Sequence, residues 1–285
     1  MRTDNQEHKT LFTIPSQSHG TEIATTKPLP PQRAITGHKQ TDAYLWVLEV
    51  IKLNEPAHLP AAEEALKKLK ITPKDAQRRY SDYLIKSGAD PMQAAFGTFL
   101  MDNPQGYINR ARQAISKASE VRAVFGDYET ALEDTEAEKR MLSGEMADVY
   151  SACWGWTDKE IKDKCMYGKR VFEVAEQRYA MSKGFREQLP EPETLSDVVR
   201  EFQYWGWLYW MRDSAAKELR YEYGDSDRNY IGDREDYLRE RLAAIKPVSR
   251  QEAVDVCRWV LENESLNNLG EKTDNIILNL VGECG

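Results

Sequence analysis

The four histidines of this chain, His8, His19, His38 and His58, lie in its first fifth, and residues 59–285 contain none. Imidazole is the usual base for an activated serine or cysteine and the commonest zinc ligand. The inventory therefore excludes a Ser-His-Asp or Cys-His nucleophile, an HExxH zinc site and a Glu-x-x-His di-iron site from the main body. Cys153, Cys165, Cys257 and Cys284 form no CxxC pair and no zinc spacing. The first three stand among apolar or aromatic residues and read as buried reduced thiols, leaving Cys284 as the exposed one. Any chemistry in the body thus falls to carboxylates, Lys, Tyr or Arg.

Two carboxylate groupings carry a metal-like spacing. Asp225, Asp227, Asn229, Asp233 and Asp236 occupy positions 1, 3, 5, 9 and 12 of a segment that resembles a calcium-binding EF-hand loop. Tyr230 stands where that loop needs a turn glycine, and Asp236 where it needs a bidentate glutamate. A polar turn between helices is the simpler expectation. Glu145-Met-Ala-Asp148 puts two carboxylates on one helix face, able to hold Mg²⁺. It resembles the second half of the all-α nucleotide pyrophosphohydrolase pattern, which would imply a Mg-dependent nucleotide hydrolase. The preceding Glu133-Asp134-Thr135-Glu136 lacks the spacing of the first half, and a solvated acidic face is the plainer reading.

Two further groupings bear on binding. In residues 202–211, Phe202, Tyr204, Trp205, Trp207, Tyr209 and Trp210 point in every direction of a helix. A helix apolar all round is usually buried, each Trp N–H needs a partner, and Gly206 would admit a close neighbour. The alternative is a partner-binding anchor through Trp205, Trp207, Tyr209 and Trp210. Between Lys74 and Arg122 the chain is modestly basic. Helix 73–86, turn 87–90 and helix 91–101 have helix-turn-helix proportions. The second helix, PMQAAFGTFLM, offers Gln93 and Thr98 to base edges and is otherwise core. Arg78, Arg79, Arg110 and Arg112 remain candidates for phosphate contact.

The elements that position these groups are helical throughout. Thr72-Pro73-Lys74-Asp75, Asp90-Pro91 and Asn103-Pro104 are cap-plus-proline starts. Thr157 with Glu160, Thr194 with Asp197 and Ser249 with Glu252 are capping boxes. Tyr107, Ala111, Ala114, Ala118, Val121 and Phe125 form a narrow stripe suited to close helix packing. No alternating strand pattern or Asn-Gly hairpin turn interrupts them. The expected fold is an all-α multi-helix bundle of about 8–10 helices after a disordered N-terminal arm. The expected domains are that arm at 1–40, a helical domain at 41–125 and an aromatic-rich acidic domain at 128–285. Within the arm, Leu11–Ile14 is the one stretch suited to docking.

The chain has 285 residues, 41 % of them apolar, so it can bury a real core. Its mean hydropathy is −0.68, and no run of about 18 apolar residues suggests a membrane span. Residues 1–129 hold 17 basic and 15 acidic residues, whereas 130–285 hold 22 and 32, a local balance of −10. Such acidity argues against a phosphate-binding body. We therefore expect a cytoplasmic, non-catalytic regulatory or interaction protein that binds or inhibits a macromolecular partner, as an accessory protein of a phage or plasmid would. A protein partner is expected, with nucleic acid on the 74–122 surface as the alternative; no cofactor and no membrane is expected.

Overall fold

The computed structural model describes residues 3–20, 27–224, 228–263, 266 and 270–282. Within these the protein holds fourteen α-helices and no strand. The number exceeds the expected 8–10 because several helices are only one or two turns long. Such pieces leave no complete apolar period in a sequence. The chain divides into two compact units, one of residues 17–127 and one of residues 1–16 with 128–285.

The smaller unit contains α2 (Lys39–Lys52), α3 (Leu59–Lys68), α4 (Pro73–Lys86), α5 (Pro91–Gly97) and α6 (Pro104–Phe125). Helix α2 packs against α3, α4 and α6. It brings Tyr44, Val47, Leu48 and Ile51 into a core with Leu59, Ala76 and Ile108. That spacing of three and four is one helical face. The Tyr44 hydroxyl, buried by this packing, donates to the Met101 carbonyl. Thr72, Asp90 and Asn103 each accept a first-turn N–H, so these starts follow from local chemistry. Ala111, Ala118 and Val121 of the small-residue stripe on α6 are buried.

The larger unit contains α1 (Gln6–Leu11), α7 (Glu136–Met141), α8 (Met146–Val149), α9 (Asp158–Asp163), α10 (Lys169–Ser182), α11 (Leu195–Leu219), α12 (Asn229–Ala244), α13 (Arg250–Glu262) and α14 (Glu271–Val281). Helix α11 touches α1, α12 and α13, and α12 packs along α14. Thr194 and Asp197 cap α11 reciprocally. At α13 only half of the expected box forms. Ser249 accepts the Glu252 N–H, but the Glu252 carboxylate takes the Ser196 N–H and hydroxyl and the Val248 N–H instead. It ties the start of α13 to that of α11. Gly184 has φ +63°, and a Cβ there would lie 2.1 Å from the Tyr237 Cβ. Only glycine serves both the turn and the contact.

The N-terminal arm differs most from expectation. Asn5 caps α1 by accepting the Glu7 and His8 N–H groups, and His8 and Phe12 are wholly buried. Docking through Phe12 falls inside the Leu11–Ile14 stretch. Further along, the Lys27 N–H reaches Glu55 and the Pro30 carbonyl accepts the Trp46 indole N–H. An arm free over residues 1–40 is thus corrected: side chains tie it down at points that no apolar period announces.

Candidate interaction surface

The aromatic run of α11 splits by facing. Trp205 is buried, and its indole N–H donates to Glu201 Oε1 at 3.2 Å. Trp207 and Tyr209 are half-buried, while Trp210 is 53 % exposed. Of the four expected anchor residues, the structure thus leaves Trp210 most open. A Cβ on Gly206 would meet nothing within 4 Å, so that glycine marks no close helix approach.

Beneath the aromatics, α11 carries two buried ion clusters. Arg234 grips Glu201 through Nε at 2.7 Å and Nη2 at 2.9 Å, and its third arm donates to the Gly184 carbonyl. His8 Nε2 lies 2.8 Å from the other side of the same carboxylate. Burial alone would raise the Glu201 carboxyl; Arg234 and His8 outweigh it and hold the group at about 2. In the second cluster Arg212 bonds both Glu138 oxygens at 2.7 Å and also the Ala131 and Glu133 carbonyls. Burial pushes Glu138 upward, but Arg212 and Arg228 bring it to about 2. Each guanidinium uses its fork on carboxylate and backbone oxygens together, which buried charge requires.

His8 also corrects the histidine argument. Sequence position put it in a mobile front end, yet the fold seats it inside the larger unit beside two carboxylates, Glu201 and, at 4.0 Å, Asp197. Inventory by position therefore does not keep imidazole out of that unit. The ring is wholly buried, packed 4.7 Å from the Phe12 ring, and faces no open cleft.

The metal-like groupings are placed as follows. Asp225 and Asp227 lie outside the described residues. Asn229, Asp233 and Asp236 lie on α12, not in a loop. Asp233 accepts from the Tyr150 hydroxyl at 2.6 Å and from Arg178, while Asp236 pairs with Arg239. A helix spreads these oxygens along its axis, and a guanidinium already fills the place a cation would take. Glu145, the N-cap of α8, and Asp148, on its single turn, are both exposed. Among the described residues no group of three His, Cys, Asp or Glu side chains could hold a metal ion. Cys153, expected inside, is exposed, Cys165 and Cys257 are half-buried, and Cys284 lies outside the described residues.

The basic surface is partly neutralised. Arg78 pairs with Asp75, and Arg112 pairs with Glu63 on α3 at 2.8 and 2.9 Å. Arg110 covers the Tyr107 ring at 4.6 Å. Two residues apart on α6, Arg110 and Arg112 point about 200° from one another. Arg79 is exposed on α4. The expected second helix ends at Gly97, so it has seven residues and not eleven.

That short helix carries what sequence reasoning missed. Met92, Phe96 and Phe99 are 66, 74 and 67 % exposed, whereas Ala94 and Thr98 are 1 and 5 % exposed. Taken as core from composition, the three large side chains instead face outward. On the helix a spacing of four puts Met92 and Phe96 on one side and Ala94 on the other, and the turn that follows adds Phe99 outside and Thr98 inside. The close approach of α4 enforces this choice: a Cβ on Gly97 would already lie 3.1 Å from Leu84 Cδ1. Ile85, at the end of α4, is also half exposed. The available signal was size, since Ala94 is the small residue that fits the tight gap, while Ala95 and Gly97 stay exposed. A second exposed apolar area, in the larger unit, is formed by Ile161, Tyr167, Val171 and Phe172 on α9, α10 and the turn between them. No protein-family model, no curated protein and no solved structure matches this chain.

Proposed function

We propose that this is a non-catalytic helical interaction protein whose binding face is the outward side of α5, on a frame of bundled helices. The observation that carries the reading is the inverted facing of that helix and the turn after it, with Met92, Phe96 and Phe99 in solvent and Ala94 and Thr98 inside. Aromatic and methionine side chains grouped this way are characteristic of interface centres. Helix α4, packed beside it, carries Lys74, Arg78, Arg79 and Lys86 against Asp75 and Asp82. The partner that fits is a protein with an apolar cleft and an acidic rim.

Covering one such side chain contributes about 1.5–3 kcal/mol. The triple change Met92→Ser, Phe96→Ser and Phe99→Ser therefore reduces partner affinity at least about a hundredfold. Because the side chains are exposed, the melting temperature stays within about 2 °C of the parent. Cross-linking mass spectrometry in the native cell, parent against triple variant, identifies the partner as the species that disappears. Equal recovery with both proteins rejects the α5 face. Binding that survives the triple change but is lost in Arg78→Ala with Arg79→Ala, and that weakens steeply with salt, identifies nucleic acid on the basic surface instead.

A further inference from the structure

The N-terminal segment is seated on α11 as a ligand is seated on a receptor. Asp4 accepts from Arg200 at 2.6 Å and from the Thr194 hydroxyl at 3.0 Å. The Asn5 N–H donates to Asp197 and its side-chain amide donates to the Glu191 carbonyl. Glu7 pairs with Arg140, and His8 meets Glu201 in the interior. Phe12 completes the set, its ring 5.5 Å from Tyr204 and 5.7 Å from Trp205, each in an edge-on arrangement. The read-out is thus side chain by side chain, and the exposed positions between, Gln6, Lys9 and Thr10, take no part in the α11 contacts named above.

Three features separate this from an ordinary packed helix. The contacts join residues 133–196 positions apart. Helix α1 has six residues, too few to stay helical without the groove beneath it. Residues 13–17, which follow at once, are all exposed and include Pro15, giving a short hinge that ends where the Ser18 and His19 N–H groups donate to the Ala123 carbonyl. A buried segment joined by an exposed hinge is the geometry in which two copies exchange an element at little enthalpic difference, since each contact is remade in the partner.

We propose that the α11 groove is a peptide-recognition site for the pattern Asp-Asn-x-x-His-x-x-x-Phe, filled by the chain's own residues 4–12 and able to take the same segment from a second copy. Exchange of the arm then links two molecules without any new surface. Effective concentration favours the intramolecular form in dilute solution, and the exchanged form gains as concentration rises.

Two measurements test this. In the first, a specific protease site is placed in the exposed 13–17 stretch of the full chain and cut, and a fluorescent peptide of residues 3–16 is added. The labelled peptide is expected to enter the groove. Unlabelled peptide carrying Thr10→Ala competes as the parent does, and those carrying His8→Ala or Phe12→Ala compete at least tenfold less well. Failure of the label to enter at hundredfold excess, unfolding of the body once the arm leaves, or equal competition by the Phe12→Ala peptide each overturns the proposal. In the second, Thr13–Ser16 are deleted to shorten the hinge, and the mass in solution is measured. A dimer is expected; a monomer, with its arm docked or released, overturns it.

Discussion

Glu201 and Glu138 give the molecule a defined response to acid. Both carboxyls lie at about 2 when folded, each against the opposing effect of burial, because guanidinium groups face them. In the unfolded chain a glutamate returns to about 4.3. A carboxyl lowered by folding contributes stability that is fully present above its unfolded value and is lost as pH falls toward the folded one. Each contribution is on the order of 3 kcal/mol, lost between about pH 4.3 and pH 2. Urea unfolding at steps from pH 7 to pH 2.5 is expected to show the decline, and a flat profile across that window contradicts it. Glu201→Gln removes one of the two titrations, so its profile is shallower in acid. At pH 7 the same change leaves Arg234 buried without its counter-charge and costs about 3–5 kcal/mol. None of these partnerships was legible in the sequence. Glu201 and Arg234 are 33 residues apart and read as ordinary surface charge until α11 and α12 are packed together.

The α12–α14 pair shows how one polar residue can hold an element. Asn279, wholly buried in the apolar face of α14, donates from Nδ2 to the Leu242 and Ile245 carbonyls at the end of α12. Those carbonyls have no partner within their own helix. Asn279→Leu is expected to cost about 2 kcal/mol by leaving them unpaired, measured as a lower denaturant midpoint with an unchanged slope. Gly184→Ala is a harsher change, because a side chain would enter a left-handed turn already closed by Tyr237. Helix starts were legible because a cap and its N–H lie within four residues: Thr72, Asp90, Asn103, Thr157 and Thr194 all act as their types require. The facing of α5 was not. Its sequence offers both a bulky side and a small side, and the gap beside Leu84 decides which goes inward. The likeness of residues 225–236 to an EF-hand loop failed for a related reason. Residues from Asn229 onward continue as helix, and Arg178, which answers Asp233, lies 55 positions away.

At the scale of the molecule, the two units are not cut at one point in the chain. The core cluster around α2 in the smaller unit is built from residues between Tyr44 and Ile115, and the buried Ala118, Val121 and Ala123 lie within the same unit. Residues 17–127 produced alone are therefore expected to fold, with a cooperative thermal transition and helical circular dichroism; a broad, non-cooperative melt contradicts this. The larger unit needs residues from both ends. A composition shift near residue 130 marks where its acidity begins, but the sixteen residues that complete it carry no such mark. This order has a consequence for how the protein is made. A ribosome adding about 5–20 residues each second releases the first residues long before it reaches the helices that hold them. Arg200 and Glu201 follow Asp4 and His8 by nearly two hundred residues, so residues 4–12 stay uncovered for about 10–40 s. The small unit is complete well within that interval, and a segment synthesised before it is among the last to be placed. A covalent change made on Asp4, His8 or Phe12 while they are bare is sealed in when the later helices arrive.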